Sequence, residues 1–374
     1  MYHRELISTI QSQLNRKEVV LLCGARQTGK STMLDILSAN HPDMLVLNCE
    51  QTDVADTLRS KNISRIKALF DDNKIIAFDE AQTITEIGQV LKLLYDQKQL
   101  GIKMLATGSS SFDLSNKTGE PLTGRNILYK LFPLSIKEIN SKRSWQYILE
   151  HLGELLIYGT YPGIIDLPVK EKRQSLLALS GDYLFKDIFK FEQLRNPELL
   201  RKLLKALALQ LGSLVSSYEL SNLLGVAKQT VKRYLDLLEK SFIIYSLPSF
   251  SSNLRNELKK SKKYYFYDPG IRNAVINNFL DIDNRNDMGA LWENFCVNEL
   301  IKEDQYNLKY SNFYFWRTYD GAVIDLISEM DGKFRAFEFK WGKTKKPRIP
   351  ASFSNKYQVE TLELITPEQL YLFK

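Results

Sequence analysis

The stretch Glu18–Leu34, EVVLLCGARQTGKSTML, decides how the first half of this 374-residue chain is read. Five apolar residues, Val19–Cys23, run into Gly24; four residues separate it from Gly29, Lys30 and Ser31 follow, and an amphipathic pattern begins. The spacing predicts a strand, a tight loop and a helix. Glycines let the backbone N–H groups of Gly24, Ala25, Arg26, Gln27, Thr28 and Gly29 wrap a phosphate chain, and the new helix points its positive end at the same place. Lys30 is then placed to reach the β- and γ-phosphates of ATP, the Ser31 hydroxyl to ligate Mg²⁺, and Thr32 to complete the loop.

A second apolar run, KIIAFDEAQ (Lys74–Gln82), ends in Asp79 and Glu80. A carboxylate at such a strand end can hold the Mg²⁺ shell, and the one beside it can activate water, which makes Glu80 the candidate general base. A third run, GIKMLATGSSS, ends in Thr107, Ser109 and Ser110, hydroxyls that either sense the γ-phosphate or cap the next element. In LTGRNILYKLFPLS, Arg125 reads either as a stabiliser of phosphoryl charge, within one chain or across a subunit interface, or as a surface arginine. Strands near 19–23, 45–48, 75–78, 103–107 and 127–131 alternate with helical segments, so the expected fold class is α/β with a doubly wound, mainly parallel sheet. The Asp-Glu pair on a strand separate from the phosphate loop resembles the P-loop ATPases with an extra catalytic strand, including the AAA-type group.

Composition sets the outer limits. With 44% hydrophobic and 25% charged residues the chain has the balance of a soluble globular protein, and its length calls for two or three domains. No apolar run approaches the ~18 residues of a membrane span. A charged N-terminus and three scattered cysteines, Cys23, Cys49 and Cys296, lead us to expect a reducing cytoplasm. The formal net charge of +7 suits a polyanionic partner. It is concentrated in LRNELKKSKK (Leu254–Lys263) and KWGKTKKPR (Lys340–Arg348), which read equally as solvated loops.

From about Trp145 to Leu211 the apolar spacing is helical, and Leu199, Leu203, Leu207 and Leu211 form a packing stripe with Leu200 and Leu204 beside them. The following run, Ser216–Phe250, predicts a short helix (218–224), a turn at Gly225, a longer helix (227–240) and an apolar β-like tail (242–247). That order describes a winged helix-turn-helix. Val231, Tyr234, Leu235 and Leu238 face inward in this reading. Lys228, Gln229, Lys232 and Arg233 face out, where they suit phosphate and base-edge contacts of DNA. A winged helix that only packs against protein is the other reading.

Near the end stands VIDLISEMDGKFRAFEFKWGK, Val323–Lys343. Asp331-Gly332 is a two-residue hairpin turn, which pairs Met330 with Lys333 and, counting back along both strands, Asp325 with Glu338. The two carboxylates and Lys340 then share one face. Opposed acids call for a cation, and a divalent metal held by Asp325 and Glu338 is the expected occupant, with Lys340 acting on water or phosphate. The Asp-x12-Glu-x-Lys pattern resembles the PD-(D/E)xK restriction-endonuclease-like superfamily, although Val323-Ile324 precede the Asp where a Pro is usual. The resemblance implies a further metal ligand from the preceding helix, and Glu293 in GALWENF stands at that place. In that helix Trp292, Phe295, Cys296 and Leu300 are the expected core face. A retained fold that binds without cutting is the alternative.

The order of parts resembles a family of prokaryotic AAA-type ATPases carrying a C-terminal restriction-endonuclease-like domain. The matching residues are GARQTGKST, IIAFDEAQ, LATGSSS, LTGRNILYKLFPLS, YGTYPGI, KYYFYDPGIRNAV, GALWENF, FWRTYDGAVIDLI and AFEFKWGK. The expected organisation is an ATPase core over 1–140, a helical lid over 141–197, a winged helix over 198–255 and a nuclease-like domain over 264–374. The resemblance implies ATP binding through Gly29, Lys30, Ser31 and Asp79, with Glu80 hydrolytic, and no known substrate. Mg²⁺ is expected from the phosphate loop, and DNA or a protein is the partner expected from the basic outer helix and the net charge. An oligomer is required if Arg125 acts in trans.

Overall fold

A computed structural model describes residues 1–109, 122–183, 188, 196–251, 262–318, 321–342, 348–357 and 359–374. Ser110 and most of the two basic runs, 254–261 and 343–347, lie outside the described residues. The chain divides into two compact units, one built from residues 3–132 with 240–242, the other from 1–2, 133–239 and 243–374. Among the described residues no helix is long and apolar enough to cross a membrane.

The first unit is a five-stranded sheet of β1 (Val19–Cys23), β2 (Met44–Asn48), β3 (Ile75–Asp79), β4 (Lys103–Gly108) and β5 (Asn126–Lys130), in the order β2-β3-β4-β1-β5. Every pairing is parallel. The unbroken apolar runs explain this arrangement, because a parallel sheet is covered by helices on both faces. β1 and β3 are buried along their whole length. The edge strand β5 is less enclosed, and its Leu128 is 42% exposed. β4 lies between the phosphate-loop strand and the Asp79 strand, the inserted strand that the resemblance implies.

In the second unit helix Pro197–Leu209 buries its leucine stripe, and β6 (Leu214–Val215) leads to helices Ser217–Leu224 and Lys228–Lys240. Gly225, at φ 66°, supplies the left-handed turn between them. β7 (Ile244–Leu247) and β8 (Lys262–Phe266) close an antiparallel sheet of order β6-β8-β7. A second sheet runs β12-β11-β10-β9, from β9 (Asn312–Arg317), β10 (Val323–Met330), β11 (Lys333–Phe339) and β12 (Val359–Ile365).

The two sheets share contacts. Beyond β7, Phe250 donates its N–H to Phe315 O on β9 (2.7 Å), and its ring packs with Tyr314, Phe334, Phe353 and Tyr357 in the core of the four-stranded sheet. On the other side the Asn294 amide of helix Met288–Tyr306 closes a two-way hydrogen bond with the Phe266 backbone of β8 (2.9 and 2.8 Å). A buried amide that mimics a strand partner satisfies backbone groups the sheet leaves open. Trp292, Phe295, Cys296 and Leu300 are buried, and so are the polar residues Asn298, Glu299 and Lys302 of the same helix.

Two of the motif runs form one clamp. Asp268 caps helix Pro269–Val275 through the Ile271 N–H (3.1 Å) and also accepts the Thr160 N–H (2.8 Å). Gly159 passes so close that a Cβ there would stand 2.0 Å from Asp268 Oδ1. Burial lifts the Asp268 carboxyl to about 6. YGTYPGI and KYYFYDPGIRNAV are thus two halves of one structural joint.

Candidate functional site

The phosphate loop is shaped by close approach. A Cβ on Gly24 would lie 2.2 Å from Leu131 O, and Gly29 takes φ 95° at the entry of helix Lys30–Asn40. Lys30 is 4% exposed, and its ammonium donates to the Gly24 and Ala25 carbonyls at 2.9 Å each. Thr28 Oγ1 donates to Ala25 O (2.8 Å). Arg4, also buried, donates to Thr28 O (2.5 Å) and Phe132 O (2.6 Å), which ties the loop to the segment after β5.

Opposite the loop, at the same end of the sheet, stand the acids. Thr107 Oγ1 on β4 donates to Asp79 Oδ1 (2.5 Å), and the Glu80 N–H reaches both Asp79 Oδ1 and Thr107 Oγ1 at 3.1 Å. Asp79 Oδ2 has no hydrogen-bond partner among the described residues. Glu80 sits at φ 51°, and its Oε2 accepts from Gln82 Nε2 (2.5 Å). The same nitrogen donates to Ser109 Oγ (2.9 Å). Ser31, in the first helical turn, and Asp79 are the residues that would hold Mg²⁺, which prefers hard oxygen ligands.

Arg125 is not brought here. It precedes β5, where its carbonyl accepts the Val19 N–H at the start of β1, while the loop follows the end of β1. Five strand residues at ~3.3 Å each put it roughly 15 Å away, at the other end of the sheet. Its guanidinium faces Asp96 at 3.4 Å. The lysine that does reach the loop end is Lys130, in register with Cys23, and burial lowers its pKa.

In the second unit the hairpin has the register read from its turn. Leu326 pairs with Phe337 and Met330 with Lys333, and Asp331 and Gly332 take φ 52° and 78°. Asp325 Oδ2 accepts the Phe339 N–H (3.0 Å). Lys340 Nζ lies 2.8 Å from Glu338 Oε1 and 3.9 Å from Asp325 Oδ2. The cation between the acids is therefore the hairpin's own ammonium. Burial and then the Asp325 charge raise the Glu338 pKa. Burial is the largest influence on Lys340 and lowers its pKa, but the bond to Glu338 together with the charges of Asp325, Glu338 and Glu293 outweighs it and the net shift is upward.

Glu293 behaves differently from the expected third ligand. Its Oε1 accepts from Lys263 Nζ (2.7 Å) and Tyr265 OH (2.5 Å), both on β8. Burial raises its pKa, Lys263 opposes that, and Asp325 adds to it. Among the described residues no group of three or more His, Cys, Asp or Glu side chains could hold a metal. The arrangement does not fit a three-carboxylate centre, because the third acid is already neutralised by a lysine and a tyrosine. Lys228, Gln229, Lys232 and Arg233 are all exposed along helix Lys228–Lys240, while Val231, Tyr234, Leu235 and Leu238 are buried.

Fold and site together define an AAA-type P-loop domain in the first unit. Residues 16–140 match the model of an AAA domain, and residues 149–283 and 288–373 match two domains of unknown function, DUF8612 and DUF4143. The uncharacterized protein Rv2008c of Mycobacterium tuberculosis is 27% identical over 372 residues, covering 97% of this chain and 80% of that protein. An uncharacterized protein of Haemophilus influenzae is 27% identical over 280 residues, 69% of each chain. Among solved structures, the Walker-type ATPase PABY2304 of Pyrococcus abyssi aligns with a TM-score of 0.49 at 17% identity, over 74% of this chain and 96% of that one.

Proposed function

We propose that this chain binds and hydrolyses ATP and that nucleotide state governs its association with DNA. The convergence of Lys30, Asp79, Glu80 and Thr107 at one end of the parallel sheet carries this reading. The loop holds the phosphates, Lys30 exchanges its loop carbonyls for phosphate oxygens, and Ser31 with Asp79 holds Mg²⁺, which neutralises phosphate charge when bound. Glu80 takes the proton of the attacking water. A part for Arg125 in this chemistry requires a second copy of the chain, and turnover per chain that rises with protein concentration tests it.

Support for DNA comes from the second unit. A helix, a left-handed glycine turn, a second helix that exposes Lys228, Gln229, Lys232 and Arg233 among others, and a three-stranded antiparallel sheet are the parts from which a winged helix is built, and they support this reading. In the C-terminal domain the pairing of Glu338 with Lys340 and of Glu293 with Lys263 favours recognition of a partner over cutting. One assay series decides: ATP turnover with and without DNA, and nicking in Mg²⁺ or Mn²⁺ for wild type, Asp325→Ala and Lys340→Ala. Nicking by wild type that both changes abolish restores the nuclease reading. No DNA binding at low salt refutes the DNA association.

A further inference from the structure

Gln82 has no assigned role, yet the hydrogen bonding of the ATP site leaves it in an unusual state. It is 1% exposed. Its Nε2 has two hydrogens, and both are committed, one to Glu80 Oε2 (2.5 Å) and one to Ser109 Oγ (2.9 Å). The amide cannot be turned over, because a carboxylate accepts and cannot donate to an amide oxygen. Oε1 is thereby fixed in place, and it has no hydrogen-bond partner among the described residues. Buried polar atoms without partners are rare, and a missing ordered molecule is one of their ordinary explanations.

We propose that Gln82 is the water-positioning residue of the ATP site. Oε1 accepts one hydrogen of the attacking water, and the free oxygen of Glu80, Oε1, accepts the other. A lone pair of the water oxygen forms the new bond to the γ-phosphorus. The bond from that phosphorus to the bridging oxygen breaks, and its electron pair leaves on ADP. The proton passes to Glu80 and from there to solvent. An amide that orients water while a neighbouring group handles charge is a known solution to phosphoryl transfer. Ser109 has a distinct part in this arrangement: it sits at the end of β4, so the amide that aims the water is braced against a second strand.

This inference rests on the ATPase reading, and the two are separable in one experiment. Steady-state ATP turnover and binding of a fluorescent ATP analogue are measured on the full chain for wild type, Glu80→Gln, Gln82→Met and Gln82→Asn, with thermal melting as the check on folding. Absence of both turnover and analogue binding in wild type sinks the ATPase reading itself. With an active wild type, Q82M and Q82N are expected to lose about 10²-fold in kcat, the effect of a misplaced reactant, while KM and analogue affinity stay within about threefold. Q82N keeps the amide and withdraws it by one methylene, so it tests position even if Q82M does not fold. Turnover within twofold of wild type in either folded variant overturns the proposal. So does a loss confined to KM, which would mean that Gln82 shapes binding instead of the water.

Discussion

Replacing Gly24 by alanine joins packing to chemistry in one measurement. The added Cβ would stand 2.2 Å from Leu131 O, and carbon and oxygen need ~3.4 Å, so the loop or the segment after β5 must move by roughly 1 Å. Neither side is a flexible side-chain tip. Leu131 is held by its N–H to Cys23 O (2.7 Å), and the Gly24 carbonyl accepts from the Lys30 ammonium (2.9 Å). Backbone shifts of this kind cost about 1–3 kcal/mol. They carry Lys30 away from its phosphate position, and a displacement of ~1 Å at a reacting group costs on the order of 10²-fold in rate. We therefore expect Gly24→Ala to lower the urea midpoint of the first unit and to depress kcat/KM for ATP about 10²-fold. Gly163→Ala, with nothing within 4 Å of its new Cβ, is the control and should change stability by less than about 0.5 kcal/mol. Wild-type turnover and an unshifted midpoint in G24A would refute the argument that this contact sets the loop.

Glu80→Gln should reduce ATP turnover by about 10²–10⁴-fold and leave nucleotide affinity close to wild type, as read by single-turnover kinetics and analogue binding. Lys228→Ala with Lys232→Ala should weaken DNA binding across sequences and lower the slope of log affinity against log salt by about 2, measured by fluorescence anisotropy. Burial holds the Asp268 carboxyl at about 6 in the folded chain, against 3.8 for a free aspartate side chain. Below the lower value both states are protonated; between the two the folded state alone keeps its proton. Stability from this group is therefore fully present at low pH and lost as pH rises to about 6, roughly 3 kcal/mol in all. Urea unfolding of wild type and Asp268→Asn from pH 4 to 7 should show curves that differ in slope across that window and run parallel above it.

Much of the fold is legible because the phosphate loop, the acidic strand end and the hairpin turn are local. Each is a short run whose spacing has one good conformation, and the strands fall within a residue or two of the places the apolar runs mark. The partners of those runs are less legible. Arg4, Lys263 and Tyr265 meet the sites from far away in sequence; Lys263 and Tyr265 fall within the run KYYFYDPGIRNAV, but nothing in that run marks Glu293 as their partner. Gln82 is adjacent to the acids, but its role depends on β3 and β4 ending side by side. Arg125 is different. In an all-parallel sheet, residues that precede a strand lie at the opposite end from residues that follow one, so its separation from the loop is already implied by its place before β5.

The hairpin shows what register alone can and cannot decide. Reading the Asp331-Gly332 turn places Asp325, Glu338 and Lys340 on one face, and the structure has them there. The electrostatic step from opposed acids to a divalent metal assumed that the cation must come from outside. Lys340 is long enough to fold back between the carboxylates, and a lysine at 2.8 Å answers the same repulsion. The third acid is answered by Lys263, on a strand that pairs with β6 and β7. β8 thus bridges the exposed basic helix module and the acid cluster, since its Lys263 and Tyr265 hold Glu293 while its Phe266 backbone is held by Asn294.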